Sequence, residues 1–191
     1  MAPKGNTLIM RICHDLITPF NAINLGIEAF KMSGDSILLN EIKASVDKAN
    51  SILKFIRELY SVKPNSFCHP ISSLSHLVAD FLEKHGIFFS LNSDLENIPH
   101  SAARIVMYNA IIAKEAMPFG GEVSVSINDN AGEIVTICSG KNMTVPNLNM
   151  EGNENHKNVM RISLLRLLDE LKFRTIVYQE EAKLIIHEQM I

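Results

Sequence analysis

TLIMRICHDLITPFNAINLGIEAFKMS, Thr7 to Ser33, places apolar residues at Ile9, Ile12, Leu16, Phe20, Ile23, Ile27 and Phe30. The steps are three or four residues throughout, so the spacing predicts a long amphipathic helix with one apolar stripe. Gly34 and Asp35 break the pattern, and Asp35 or Ser36 can cap a second helix. In that helix Leu39, Ile42, Val46, Ala49, Leu53, Ile56 and Tyr60 form a heptad-like seam. Val62 to Ser66, with Pro64 among them, ends the helix and reads as a linker. A short turn between two long helices makes an antiparallel hairpin. Two helices cannot bury such a stripe on all sides. Either a second copy covers it, making a twofold four-helix bundle, or the rest of the same chain does.

Composition narrows the classes around this hairpin. The chain has 191 residues, enough for one large domain or two small ones. Hydrophobic residues make up 47%, which excludes a largely disordered chain. With no Trp and only 6% aromatic residues, the core must be built of Ile, Leu, Val and Met. Eighteen basic against 21 acidic residues, a net charge of −3, give none of the basic excess of a nucleic-acid binder. No apolar run is long enough to span a bilayer, and the N-terminal apolar run soon meets Arg11, His14 and Asp15, unlike a secretory signal. Cys13, Cys68 and Cys138 lack CxxC spacing, as expected of a reduced cytoplasmic protein without a zinc site. His69, His76, His85, His100, His156 and His187 show no metal-ligand spacing within one element.

The first helix carries its chemistry opposite the stripe. On a helical wheel Arg11, Thr18, Asn21 and Leu25 lie within about 60° of His14, so His14 points away from the core on a polar face. Cys13 falls nearer the core side, which suggests a buried, inert thiol. Pro19 removes a backbone hydrogen bond inside the helix and favours a kink just after Thr18. A neutral imidazole is a competent nucleophile near pH 7. Arg11, one turn before it, is placed to stabilise phosphoryl oxygens, and Thr18, one turn after, to orient a water or the transferring group. Asp15 lies about 100° round the helix, from where it can orient the ring or accept its proton. On these residues alone, a solvated histidine on a polar face is the better explanation of the pattern.

The run Arg11-Ile12-Cys13-His14-Asp15-Leu16-Ile17-Thr18-Pro19 resembles the H-box of histidine kinases. Extended through Asn21-Ala22-Ile23-Asn24-Leu25-Gly26, it is similar to the ChpT-type histidine phosphotransferases, with Thr18 where Ser is usual and Asn21 where a small residue is common. Asn109 to Gly121, NAIIAKEAMPFGG, is similar to that family's helix ending in EALPRGG, with Phe119 replacing a basic residue. The resemblance implies a homodimeric four-helix bundle joined to a degenerate ATPase-like domain. His14 would then shuttle a phosphoryl group between aspartates of response-regulator receiver domains in a bacterial phosphorelay. Asp15 would assist it, Thr18 and Arg11 would support it, and Mg²⁺ would come with the receiver. Receivers would dock on the exposed face of the first helix, where Asn21 and Leu25 stand.

Beyond the linker the pattern changes. Ser72 to His85 reads as a helix stopped by Gly86, Ile87 to Leu91 as a strand, and Pro99 to Met117 as a helix. Glu122 to Asn128 and Glu133 to Cys138 read as a hairpin turning at Asp129-Asn130-Ala131-Gly132. Residues 140–158 read as a long loop, followed by a helix from about Lys157 to Leu171 and strands at Thr175–Gln179 and Lys183–His187. The expected whole is α+β: a helical hairpin over residues 1–64 and an α/β sandwich over 65–191, ordered like the histidine kinase ATPase domain. Asn109 sits where a Mg²⁺-binding Asn could stand, or else bonds locally. Asp129 to Gly132 is not DxGxG, and the 140–158 loop has no GxG, so no ATP and no other bound cofactor is expected. The rivals are an ATP-using histidine kinase fragment and a non-catalytic dimeric receiver-binding adaptor.

Overall fold

The computed structural model describes residues 5–64, 66–128, 132–144, 159–180 and 183–190, and the side chains of all of these except 5–8 and 159. The expected turn at 129–131, the loop from 145 to 156 and the helix start at Lys157 lie outside the described residues. Helix α1 (Gly5–Ser33) runs without interruption through Pro19, and α2 (Ile37–Leu59) returns beside it. Gly34 makes the turn with φ +66°, a region that costs other residues strain, and its N–H donates to Phe30 O at 2.8 Å. Asp35 Oδ1 accepts the Ile37 N–H at 2.9 Å and so satisfies one of the open donors at the start of α2. The two helices touch closely at Gly26, where a Cβ would stand 2.7 Å from Ile42 Cγ1.

The remainder is a helix-on-sheet sandwich. Its elements are β1 (Cys68–Pro70), α3 (Ile71–Glu83), β2 (Ile87–Ser93), β3 (Asn97–Pro99), α4 (His100–Ala116), β4 (Gly121–Asn128), β5 (Glu133–Gly140), α5 (Val159–Glu170), β6 (Phe173–Glu180) and β7 (Lys183–Met190). The main sheet has the order β2-β4-β5-β7-β6, with β2 and β4 parallel and every other pair antiparallel. Strands β1 and β3 form a separate antiparallel pair that the sequence did not foretell. Three residues each, both ending in Pro, are too short for an alternation signal. Gly120 and Gly121 start β4 at positive φ, and a Cβ on either would collide with a neighbouring carbonyl, Gly86 O or Ser139 O.

Helix α4 is the centre of the core, buried at Ala103, at every residue from Ile105 to Ala113, and at Ala116. Val123, Val125, Ile134, Cys138, Leu184 and Ile186 face it from the sheet. The same cluster extends into α2 through Ile52, Phe55 and Leu59, which pack against Leu74, Val78 and Phe81 of α3. Phe55 and Phe81 stack with centroids 4.0 Å apart. Helix α2 therefore has two apolar faces. The sequence periodicity singled out the other one, and much of it stays open in the single chain: Leu39, Val46 and Leu53, with Ile9, Phe20 and Ile27 of α1, are exposed. Cys13, expected to be buried, is exposed as well, because it flanks this uncovered seam.

Phe55→Ala removes a fully buried ring that joins the hairpin to the sandwich. It should cost about 3–5 kcal/mol in urea unfolding, whereas a cost under about 1 kcal/mol would contradict this packing.

Candidate active site

His14 stands on the outer face of α1 with 68% of its side chain exposed. Its neighbour Asp15 is turned inward, and Asp15 Oδ1 lies 3.3 Å from His14 Nδ1. A carboxylate can only accept, so Nδ1 carries the proton and the lone pair belongs to Nε2. Asp15 is itself held. Its Oδ2 accepts Arg11 Nε at 3.3 Å and Lys114 Nζ at 3.5 Å. Arg11 Nη2 also reaches Glu115 Oε1 at 3.0 Å, and Arg161 Nε stands 3.4 Å from Glu115 Oε2. These last two contacts are ion pairs by distance without the alignment of hydrogen bonds. The network joins α1 to α4 and α5, next to the histidine.

Burial and charge compete in this network. Burial raises the Asp15 carboxyl, but Lys114, Arg11 and the His14 hydrogen bond outweigh it and hold the carboxyl below its ordinary value. At Glu115 burial wins over Arg11 and Arg161, and its pKa is raised. Burial likewise lowers Lys114 despite Asp15, and its ammonium also lies over the Phe81 ring at 5.5 Å. Pro19 adds a backbone feature. It has no N–H to give the residue four before it, so the Asp15 carbonyl lacks its helical donor.

Of the residues chosen from sequence, the fold brings His14, Asp15 and Arg11 together. Thr18, Asn21 and Leu25 share the exposed face of α1 with His14, and Leu25 is 65% exposed. Arg11 turns away from that face: only 11% of its side chain is exposed, and both its contacts are carboxylates. Sequence reasoning missed Lys114, Glu115 and Arg161. The first two lie inside the NAIIAKEAMPFGG stretch, as adjacent charges ending an apolar helix, but nothing in the periodicity told which partner they would meet.

Asn109 is fully buried, and its Nδ2 donates to Thr136 Oγ1 at 3.0 Å and to Glu188 Oε2 at 3.1 Å. The local bond considered for it is thus a long-range one, from α4 to β5 and β7. Burial, only partly offset by the Asn109 bond, pushes the Glu188 carboxyl up to about 8.

Residues 72–157 match the family model described as the histidine phosphotransferase C-terminal domain. The protein phosphotransferase ChpT of Brucella abortus is 25% identical over 146 residues, covering 74% of this chain and 70% of that protein. The chain is thus similar to the ChpT-type histidine phosphotransferases in both comparisons. Its fold matches a 1.7 Å structure of a bacterial phosphotransferase with a TM-score of 0.85 and 20% identity, over 97% of this chain and 95% of that one. The histidine kinase AdeS of Acinetobacter baumannii follows with a TM-score of 0.52 and 11% identity, over 93% and 96%. At these identities the two structures speak for the fold: a helical N-terminus joined to a kinase-like α/β sandwich.

Burial of Glu188 ties its protonation to folding. From the ordinary value of 4.5 up to about 8 the folded chain keeps a proton that the unfolded chain has released. Stability therefore falls as pH rises through that window and levels off above it. Glu188→Gln should flatten this slope in urea unfolding at a series of pH values. An unchanged slope would show that Glu188 does not titrate there.

Proposed function

We propose that the chain is a histidine phosphotransferase of a bacterial phosphorelay, passing a phosphoryl group between receiver aspartates through His14. The observation that carries this is the exposed imidazole whose Nδ1–H is held by a carboxylate that is itself held from α4. Nε2 attacks the phosphorus of a phospho-aspartate. The N–P bond forms as the acyl phosphate P–O bond breaks, and the receiver's aspartate leaves as a carboxylate. Transfer onward is the same step reversed onto a second receiver, with Mg²⁺ supplied by the receiver. Asp15 orients the ring and offsets the positive charge that develops on it. Arg11 acts through Asp15 and Glu115 as a positioning residue; Thr18 faces the transferred group. Asn21 and Leu25 offer polar and apolar contacts to the docked receiver.

The open seam of Ile9, Phe20, Ile27, Leu39, Val46 and Leu53 supports a homodimer, in which a second hairpin completes a four-helix bundle. Residues 1–64 then serve dimerisation and phosphotransfer, and residues 65–191 form the wall that holds Asp15 and borders the receiver. The reading needs no ATP. The Asn109 amide is already committed to Thr136 and Glu188 inside the core, which favours phosphotransfer over a kinase reading. Among the described residues no helix is long and apolar enough to cross a membrane; a cytoplasmic location for the relay is part of the proposal and follows from the receivers proposed as partners.

The test uses a ³²P-labelled receiver as donor. Label should reach the unmutated chain and not His14→Ala, and incubation with labelled ATP alone should leave the chain unlabelled. Autophosphorylation would favour a kinase fragment, and receiver binding without transfer a non-catalytic adaptor. Lys114→Met and Glu115→Gln, which loosen Asp15 without touching His14, should slow transfer by about 10- to 100-fold. Rates equal to the unmutated protein would remove α4 from the mechanism.

A further inference from the structure

Among the described residues no helix or strand carries two histidines at ligand spacing, but the fold brings two together from different elements. Glu58 lies in the last turn of α2, His69 in the middle of β1, and His100 is the first residue of α4. The β1–β3 ladder pairs His69 with Ile98, and the His100 N–H donates to Phe67 O at 3.1 Å. His69 Nε2 stands 2.7 Å from His100 Nδ1 and 3.7 Å from Glu58 Oε1, and the three ligand atoms lie within 4.8 Å of one another. The ring centroids are 5.0 Å apart, so the rings meet edge to edge with these nitrogens facing each other.

The surroundings fix which nitrogens hold lone pairs. His100 Nε2 lies 3.2 Å from Ser61 O, a carbonyl that can only accept, so Nε2 carries the proton and Nδ1 the lone pair. Such an outer hydrogen bond is what orients a metal-binding histidine. Phe67 packs edge-on against His69 at 4.9 Å. Burial, ahead of every other influence, lowers the pKa of both rings and keeps them neutral.

We propose that Glu58, His69 and His100 bind one divalent transition-metal cation of the zinc class, which clasps the end of α2 to the start of α4. Two neutral imidazoles and a carboxylate suit such a cation and not Mg²⁺ or Ca²⁺, which take oxygen ligands. With metal–nitrogen bonds of about 2.0–2.1 Å, tetrahedral ligand atoms stand roughly 3.3–3.4 Å apart. The two nitrogens therefore part slightly, Glu58 closes slightly, and His69 moves its proton from Nε2 to Nδ1. A cleft of about 520 Å³, bordered by Tyr60, Ser61, Lys63, Arg104 and Glu170, reaches the cluster at His100. Lys63 Nζ, 3.3 Å from Glu58 Oε1, is the competing cation. Its other contact is the Phe67 ring at 4.7 Å, and it can swing into solvent. The clasp matters because α4 begins at His100 and ends beside Lys114 and Glu115, so fixing its start fixes the helix that holds Asp15.

The full chain is titrated with Co²⁺ and Zn²⁺, with Mg²⁺ as control, following visible absorption and thermal unfolding. One equivalent of Co²⁺ should give d–d absorption that Zn²⁺ displaces, and Zn²⁺ should raise Tm where Mg²⁺ does not. The His69→Gln/His100→Gln double variant should lose both effects. Glu58→Gln should weaken binding about 10-fold or more, while Lys63→Met should tighten it by removing the competitor. Absence of saturable binding, or binding unchanged in the double variant, overturns the proposal. If the double variant does not fold, unchanged affinity in both Glu58→Gln and Lys63→Met overturns it equally.

Discussion

The Asp15 carboxylate, gripped by Arg11 from its own helix and by Lys114 from α4, is the constraint on which the site depends. A half-buried carboxylate has lost much of its water and must be repaid by close charges. Two cations supply that here; Glu115 offsets the surplus positive charge, and Arg161 in turn lies beside Glu115. Removing one partner from a fully buried network costs about 3–5 kcal/mol; the cost is less here, because one side opens to solvent at His14. The network ties α1 to α4 and α5 beside His14. The sandwich thereby bears on His14 through Asp15.

The apolar surface has a matching division. One face of α2 seals the hairpin to α3 through Phe55 and Phe81 and belongs to the main core. The seam beside it stays largely open in the single chain, with Leu39, Val46 and Leu53 of α2 and Ile9, Phe20 and Ile27 of α1 exposed and Ala49 buried. The hairpin and the sandwich also meet at α4, whose Lys114 holds Asp15. The junction of Glu58, His69 and His100 lies at the far end of that helix from Lys114. Both ends of α4 thus bear on the same alignment.

Most of the fold was legible in the sequence because its signals are local. Three- and four-residue steps gave the long helices, Gly34 and Gly86 gave their ends, and alternation gave Glu122–Asn128 and its partner strand. The three-residue strands β1 and β3 were not legible, being too short to alternate. The face formed by Ile52, Phe55 and Leu59 was overlooked because a stronger heptad seam shares the helix. His14 and Asp15 were legible through the H-box. Lys114, Glu115 and Arg161 were not, because an ion pair across 99 residues leaves no periodic trace. Arg11 was assigned to phosphoryl oxygens on its wheel position, but its length lets it fold back to Glu115. Asn109 was read as a possible metal ligand, and only the fold shows it spent on Thr136 and Glu188.

The central claim is that the sandwich sets His14 through Asp15, and the tautomer of His14 tests it most directly. Long-range ¹⁵N NMR distinguishes Nδ1–H from Nε2–H in the neutral ring. The account predicts Nδ1–H in the unmutated chain, with Asp15→Asn and Lys114→Met shifting the population toward Nε2–H. An Nε2–H ring in the unmutated chain, or a tautomer indifferent to both substitutions, would contradict it.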